Sequence, residues 1–322
     1  MLLHPRRNLV LVLQTELTPT QVRALDQLMA RHTAHERPSF PEDLAPRLRA
    51  QLEDGLGEVA ARVEGELVVT KAALAQLHQC ERHYLAERDA GFTWSPLAAR
   101  GTVAHKALEL SMGLGSALPP GELVDLAIER LARDERSVSE FLNGATPVEE
   151  AELRVAATDM VAKFSDEFPP LKKEWRPRVE SSLSAELCGG RILLRGKVDL
   201  ALGKAEGTTA RVLVVDFKTG RPVPIHVEDL RFYALLETLR VGVPPFRVAS
   251  WYLDAGTCHA EDVNEDVLEA AARRVVDAVR TLVELRVDKR PPTWRPCPAC
   301  SYCAARSGCD GAVAWDDVRA EL

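Results

Sequence analysis

Residues 210–220, ARVLVVDFKTG, constrain the fold more than any other stretch of this chain. Val212, Leu213, Val214 and Val215 form an unbroken apolar run. Such a run, without alternation, suits a strand covered on both faces. Asp216 and Lys218 close it, two residues apart and so on one face of a strand. The two segments before it alternate instead: PRVESSLSAELC (177–188) and RILLRGKVDLAL (191–202). Gly189-Gly190 between them predicts a hairpin turn. A strand buried on both faces needs helices above and below, and the flanks supply them. VEDLRFYALLETLRVG (227–242) and NEDVLEAAARRVVDAVRTLVELRV (264–287) read as helices around a strand at 245–254. The order predicts an α/β domain with a mixed sheet flanked by helices.

The N-terminal half reads as helical. A capped helix is expected over 18–34, a proline-rich linker over 35–46 and a polar helix to about residue 63. Thr70 is the expected N-cap of one helix running to a stop at Gly91, and SPLAARGTVAHKALELSMG (95–113) is another. Further helices fill 121–168, and NLVLVLQ (8–14) reads as a short strand. No internal repeat or low-complexity tract is present. The net charge of −7 excludes a uniformly basic nucleic-acid coat but not a local basic groove. The apolar run near the N-terminus is about six residues, too short for a membrane span. With no signal-peptide cleavage site after it, the expectation is a cytoplasmic protein away from membranes.

The polar residues at the strand ends carry chemistry. Asp199 closes the apolar run of one strand and Asp216 that of its neighbour. Two carboxylates converging at a sheet edge repel unless a cation lies between them, and hard oxygen ligands suit magnesium or manganese. Such an ion activates water and stabilises charge on a phosphate. An adjacent lysine supports the attacking water or the transition-state charge.

GKVDLAL and VVDFKTG resemble the core of the PD-(D/E)xK nuclease superfamily, RecB-like branch. The resemblance implies a restriction-endonuclease-like fold with a helical insertion. It implies that Asp199 and Asp216 ligate Mg²⁺ or Mn²⁺, with the Phe217 carbonyl as a further oxygen, and that Lys218 supports the nucleophile. The family's upstream Gly-x-x-x-His is matched by Gly101 and His105, which makes His105 a metal ligand; Glu109, one turn on, reads as structural. Glu180 in RVESSL fits the acid expected on the preceding strand, as a second-metal ligand or an exposed strand residue. Tyr233 fits the tyrosine of Gln-x-x-x-Tyr on the following helix, but Asp229 stands where the family has glutamine. A carboxylate there keeps the i, i+4 geometry, loses the amide donors and repels a phosphate.

Of seven cysteines, four crowd the sequence RPCPACSYCAARSGCDG as Cys297, Cys300, Cys303 and Cys309. An odd total with no secretion signal makes a poor disulfide framework, whereas the cluster suits zinc or iron–sulfur. The resemblance narrows this to a 4Fe–4S cluster of the kind found in AddB-type and CRISPR-associated RecB-type exonucleases. Cys300, Cys303 and Cys309 match its C-terminal triplet and Cys80 its upstream ligand, leaving Cys297 surplus. Cys188 and Cys258 read as small apolar side chains.

The expected function is a metal-dependent DNA nuclease acting on single strands or ends. Candidate phosphate-neutralising residues are Lys106, Arg191, Arg195, Lys197, Arg221 and Arg231, then Arg286, Lys289, Arg290 and Arg295 before the cysteines. Phe232, Tyr233 and Trp294 are candidate base-stacking aromatics. No Gly-x-x-x-x-Gly-Lys-[Ser/Thr] loop occurs, so any helicase motor belongs to a separate partner or a larger complex. Two alternatives share these motifs: a DNA-binding or scaffolding subunit with weak or no cleavage, and a nuclease of CRISPR spacer acquisition. The resemblance spans 66–310, leaving 1–65 as an N-terminal extension and 311–322 as a tail.

Overall fold

In the computed structural model, residues 17–29, 37–114, 118–134 and 136–320 are described. The strand expected over 8–14 and the end of the helix expected over 18–34 lie outside them. The elements begin with α1 (Pro19–Met29), α2 (Leu44–Ala60) and β1 (Leu67–Thr70). The helices α3 (Lys71–Gln79), α4 (Glu81–Ala90), α5 (Pro96–Leu114), α6 (Pro120–Asp134), α7 (Arg136–Gly144) and α8 (Pro147–Glu167) follow. Then come β2 (Arg178–Leu187), β3 (Ile192–Leu202), β4 (Leu213–Lys218), α9 (Ile225–Val241) and β5 (Arg247–Tyr252). The last elements are β6 (Thr257–Asp262), α10 (Glu265–Arg286) and α11 (Asp310–Ala320).

The strands form one six-stranded mixed sheet. As the hairpin expectation required, β2 and β3 pair antiparallel along their length, joined through Cys188, Gly189 and Gly190, all at positive φ. The other edge of β3 is shared. Parallel β1 covers Ile192 to Arg195, and antiparallel β4 covers Leu200 to Leu202. β4 then pairs parallel with β5, and β5 antiparallel with β6.

Burial on both faces of β4 follows from two separate cores. Val212 and Val214 join one with α2, α9 and α10; Leu213, Val215 and Phe217 join the other with α5, α6 and α8. This is the three-layer helix–sheet–helix arrangement that the unbroken apolar run demanded.

Three local expectations need correction. The helix expected from Thr70 to Gly91 is two helices, broken at Cys80, whose backbone is extended (φ −167, ψ 123). Thr70 does cap the first, accepting from the Ala73 N–H at 3.2 Å. Residues 67–70 before it are a strand. Asp199 does not end its strand: it lies inside β3, three residues before Leu202. Finally, β6 was not foreseen, because TCHAED (257–262) carries no buried apolar face.

Candidate active site

β1 and β4 run toward each other along one edge of β3 and stop short. The ladder with β1 ends at Arg195 and that with β4 begins at Leu200. Residues 196–199 of β3 are therefore unpaired on that edge, and both incoming strands deliver their C-terminal residues there. β4 delivers Asp216, Phe217 and Lys218; β1 delivers Thr70 and then Lys71 at the start of α3.

The strand geometry is irregular at this point. Leu194 and Val198 of β3 face one core, but Leu200 and Leu202 face the other, so alternation slips between them. Opposite, Glu180 of β2 has φ +51. A non-glycine residue there is strained by about 1–3 kcal/mol, and such positions concentrate at functional sites. The slip turns Asp199 toward α5. Asp199 Oδ1 lies 3.2 Å from His105 Nδ1, and Asp199 Oδ2 accepts the Phe217 N–H at 2.6 Å. A strand residue presents its N–H and C=O to the same side, so the Phe217 carbonyl shares this edge. His105, Glu180 and Asp199 bring ligand atoms within 4.8 Å of one another. They border an open cleft of 490 Å³ with Lys106, Lys197 and Thr219.

α5 reaches this depth because Gly101 lacks a side chain. A Cβ there would sit 3.0 Å from Thr219 Oγ1, immediately after Lys218. Burial lowers the His105 pKa, but the Asp199 hydrogen bond and charge outweigh it and hold it above the usual value. Burial raises Glu180, with the Asp199 charge adding to it against the ion pair from Lys197.

Asp216 points to the other side of β4 and is 3% exposed. Its Oδ1 accepts from Lys71 Nζ at 3.3 Å. Its Oδ2 lies 2.8 Å from Lys218 Nζ but out of line for a hydrogen bond, so this buried oxygen has no hydrogen-bond partner. Burial alone would raise its pKa; the Lys71 and Lys218 ammoniums reverse that and hold it below the usual range. Lys218 donates instead to Asp229 Oδ2 at 2.8 Å. Asp229 therefore does not face a phosphate uncompensated: it holds the lysine.

Tyr233 is 2% exposed and lies under the site, its ring 5.0 Å from Lys71 Nζ. Burial, reinforced by the Asp216 charge, pushes its phenol pKa upward. Phe232 is also core, which removes both from the candidate base-stacking aromatics; Trp294 is the exposed one. Several candidate phosphate-binding cations are engaged within the protein. Arg231 pairs with Glu261 and Glu228, Arg290 with Glu81 and Glu284, and Lys106 with Glu109.

Sequence reasoning missed Lys71. One signal was available: a lysine directly after an N-cap stands against the helix dipole, which favours acids in the first turn. Such a placement is costly unless an anion lies within reach.

A second cluster sits at the helix break. The extended backbone at Cys80 turns its side chain toward the C-terminal segment, and Cys80, Cys297, Cys300 and Cys309 are buried together with Ala299 and Ala312. Cys303 is partly exposed, beside His83 and Glu87 of α4, with ligand atoms within 4.8 Å. His83 Nδ1 is buried and has no hydrogen-bond partner. Burial and the neighbouring Cys300 push the Cys297 thiol up to about 11. Glu81 anchors the arrangement, accepting from the Thr293 N–H at 2.7 Å and pairing with Arg290 at 3.0 Å. All seven cysteines are free. Cys188 and Cys258 lie away from this cluster, packed at the margins of the two large cores.

A family model described as the PD-(D/E)XK nuclease superfamily matches residues 69–310. Among solved structures, the chain is similar to that of SSO0001, with 15% identity over 82% of this chain and 95% of that one, at a TM-score of 0.37. It is also similar to a "Putative exonuclease" from Eubacterium rectale, with 12% identity over 72% of this chain and 86% of that one, at a TM-score of 0.44. Likenesses of that degree carry no argument about chemistry. No curated protein matches the sequence.

Proposed function

The chain belongs to the PD-(D/E)XK nuclease superfamily, and from that premise we propose that it is a divalent-metal-dependent deoxyribonuclease of the RecB-like branch, acting on single strands or DNA ends. The observation that carries this reading is that the unpaired edge of β3 gathers two pairs, His105 with Asp199 and Asp216 with Lys218, on either side of the end of β4. His105 to Asp199 is 3.2 Å and Asp216 to Lys218 is 2.8 Å. The donor set fits a hard divalent ion. His105, Glu180 and Asp199 converge from three elements with ligand atoms within 4.8 Å of one another, and the Asp216 carboxylate is held ionised beside them between two ammoniums.

His105, Asp199 and Asp216 would hold Mg²⁺ or Mn²⁺, with the Phe217 carbonyl and Glu180 at the margin of the set. Bound there, the ion would polarise the scissile phosphate and acidify a water. Asp199 orients the imidazole through its Nδ1, so the ring's other nitrogen is directed by that contact. Lys218, fixed between Asp216 and Asp229, presents its ammonium where charge develops on the phosphate or its attacking water. Tyr233 positions rather than reacts: it supports Lys71 and α9 from beneath. Pairing of Asp229 with Lys218 gives that carboxylate a positioning role, which favours cleavage over an inactive scaffold.

The cysteines are proposed to hold a 4Fe–4S cluster through Cys80, Cys300, Cys303 and Cys309, a soft-ligand set suited to iron–sulfur chemistry. The cluster would tie α4 to the C-terminal segment. Residues 66–310 then form the nuclease domain, with 1–65 an extension and 311–322 a tail. DNA is the proposed partner, with any unwinding left to a separate helicase or larger complex in the cytoplasm. Among the described residues no helix is long and apolar enough to cross a membrane.

The test is cleavage of labelled single- and double-stranded DNA with Mn²⁺. Asp216→Ala and Lys218→Ala should each lower the rate by at least about a hundredfold. Cleavage that survives both substitutions overturns the assignment.

A further inference from the structure

Lys71, Asp216, Lys218 and Asp229 close a ring of alternating charge. The distances around it are 3.3 Å from Lys71 to Asp216, 2.8 Å from Asp216 to Lys218, 2.8 Å from Lys218 to Asp229 and 3.9 Å from Asp229 to Lys71. Two ammoniums and two carboxylates balance. Asp216 would be paired by Lys218 alone, and so would Asp229; the ring needs its second cation only because both acids are present. Lys71 holds Asp216 Oδ1, an oxygen of a carboxylate proposed above as a metal ligand. A divalent ion on either oxygen of this carboxylate strongly repels an ammonium held 3.3 Å from Oδ1. Asp229 Oδ2 lies just beyond hydrogen-bond reach of Lys71, and the flexible four-carbon lysine stem spans such a gap by rotation.

We propose that Lys71 is a two-berth counter-cation that occupies Asp216 in the metal-free site and moves to Asp229 when a divalent ion binds. Lys71 is thus a positioning residue, and Asp229 is its second berth. This accounts for a carboxylate where the resemblance led us to expect glutamine: an amide could not receive the displaced charge. The inference rests on the metal-dependent reading above.

The experiment is Mn²⁺ binding to the full chain, followed by the paramagnetic resonance of the free ion, with no DNA present. Lys71→Met removes the competing charge and should tighten Mn²⁺ binding at least about tenfold. Lys71→Arg keeps the charge and should stay within about threefold of wild type. Asp229→Asn should weaken binding several-fold in the wild type and by a clearly smaller factor in the Lys71→Met background. Unchanged or weaker binding in Lys71→Met overturns the proposal, as do equal Asp229→Asn penalties in both backgrounds.

A wild-type measurement covers the case of a variant that fails to fold. Reductive methylation of Lys71, read by mass spectrometry, should rise several-fold when Ca²⁺ or Mn²⁺ is added; no change or a fall overturns the two-berth assignment. None of these readouts needs turnover. A chain that binds Mn²⁺ with this pattern yet cuts no DNA refutes the nuclease reading and leaves the cation exchange standing.

Discussion

Gly196 offers a sharp test of how the site is held. It lies on the unpaired stretch of β3, directly beneath α9. A Cβ added there would stand 2.9 Å from Tyr233 Cε1 and 3.0 Å from Leu236 Cδ1. Neither neighbour has room to yield, since Tyr233 is 2% and Leu236 0% exposed. Gly196→Ala must therefore lift α9 off β3 by a few tenths of an ångström. Overpacking of this kind costs about 1–3 kcal/mol. The loss of unfolded-chain freedom on replacing glycine returns about 0.4–1 kcal/mol. The net expectation is a destabilisation of about 1–2 kcal/mol, read as a fall of roughly 2–6 °C in the thermal midpoint. Because α9 carries Asp229, the Lys218 contact at 2.8 Å should loosen at the same time, and cleavage should slow more than stability alone explains. Tyr233→Ala removes the nearer contact and leaves only Leu236, so in that background the glycine substitution should cost clearly less than in the wild type. A Gly196→Ala protein as stable as wild type, or equally penalised in both backgrounds, would refute the close approach of α9 to β3.

Two further expectations concern the rest of the domain. Burial, helped by the Arg274 guanidinium, pushes the His78 pKa down to about 4, while in the unfolded chain it lies near the usual ~6.5. The unfolded state therefore takes a proton that the folded state refuses, and stability should fall as pH drops from about 6.5 to about 4, by about 1–2 kcal/mol once discounted for the solvent that reaches this partly exposed ring. His78→Gln should flatten that segment of a melting-temperature profile; parallel profiles would rule His78 out as the source. At the other cluster, the proposed 4Fe–4S linkage would close a loop of more than 200 residues, so Cys80→Ala should bleach the brown colour expected of protein purified without oxygen and cost about 5 kcal/mol. Cys297→Ala should retain the colour and lose only the packing of one buried thiol; a stable brown Cys80→Ala protein would remove Cys80 from the proposed ligand set.

Much of the sheet was legible because its chemistry lies beside its core in the chain. Asp216 and Lys218 directly follow four apolar residues, and Gly196 and Asp199 are embedded in one strand pattern. The break at Cys80 was hidden, since Leu74, Leu77 and Leu85 keep a helical spacing across it while the backbone turns extended. β1 is only four residues long and half-buried in alternation, too short for its pattern to stand apart from the following helix. Lys71 escaped for a different reason. Its partner Asp216 is 145 residues away, and only the register of β1 on β3 brings the two together.

That register also explains why this edge bears polar residues at all. Where two strands meet end to end against a third, neither can continue the ladder, and the main-chain groups left between them need other partners. The Phe217 N–H is such a group, and it finds the Asp199 carboxylate at 2.6 Å in place of a backbone carbonyl. Asp199 thereby replaces a missing ladder bond with one oxygen and meets His105 with the other. A shorter or apolar residue at 199 would leave a buried donor unsatisfied, at a cost of about 1–3 kcal/mol, before any metal chemistry is considered. The same side chain thus closes the sheet and opens the cleft. Stability and the proposed ligation at this position are one requirement, set by the topology of three strands rather than by the sequence of any one of them.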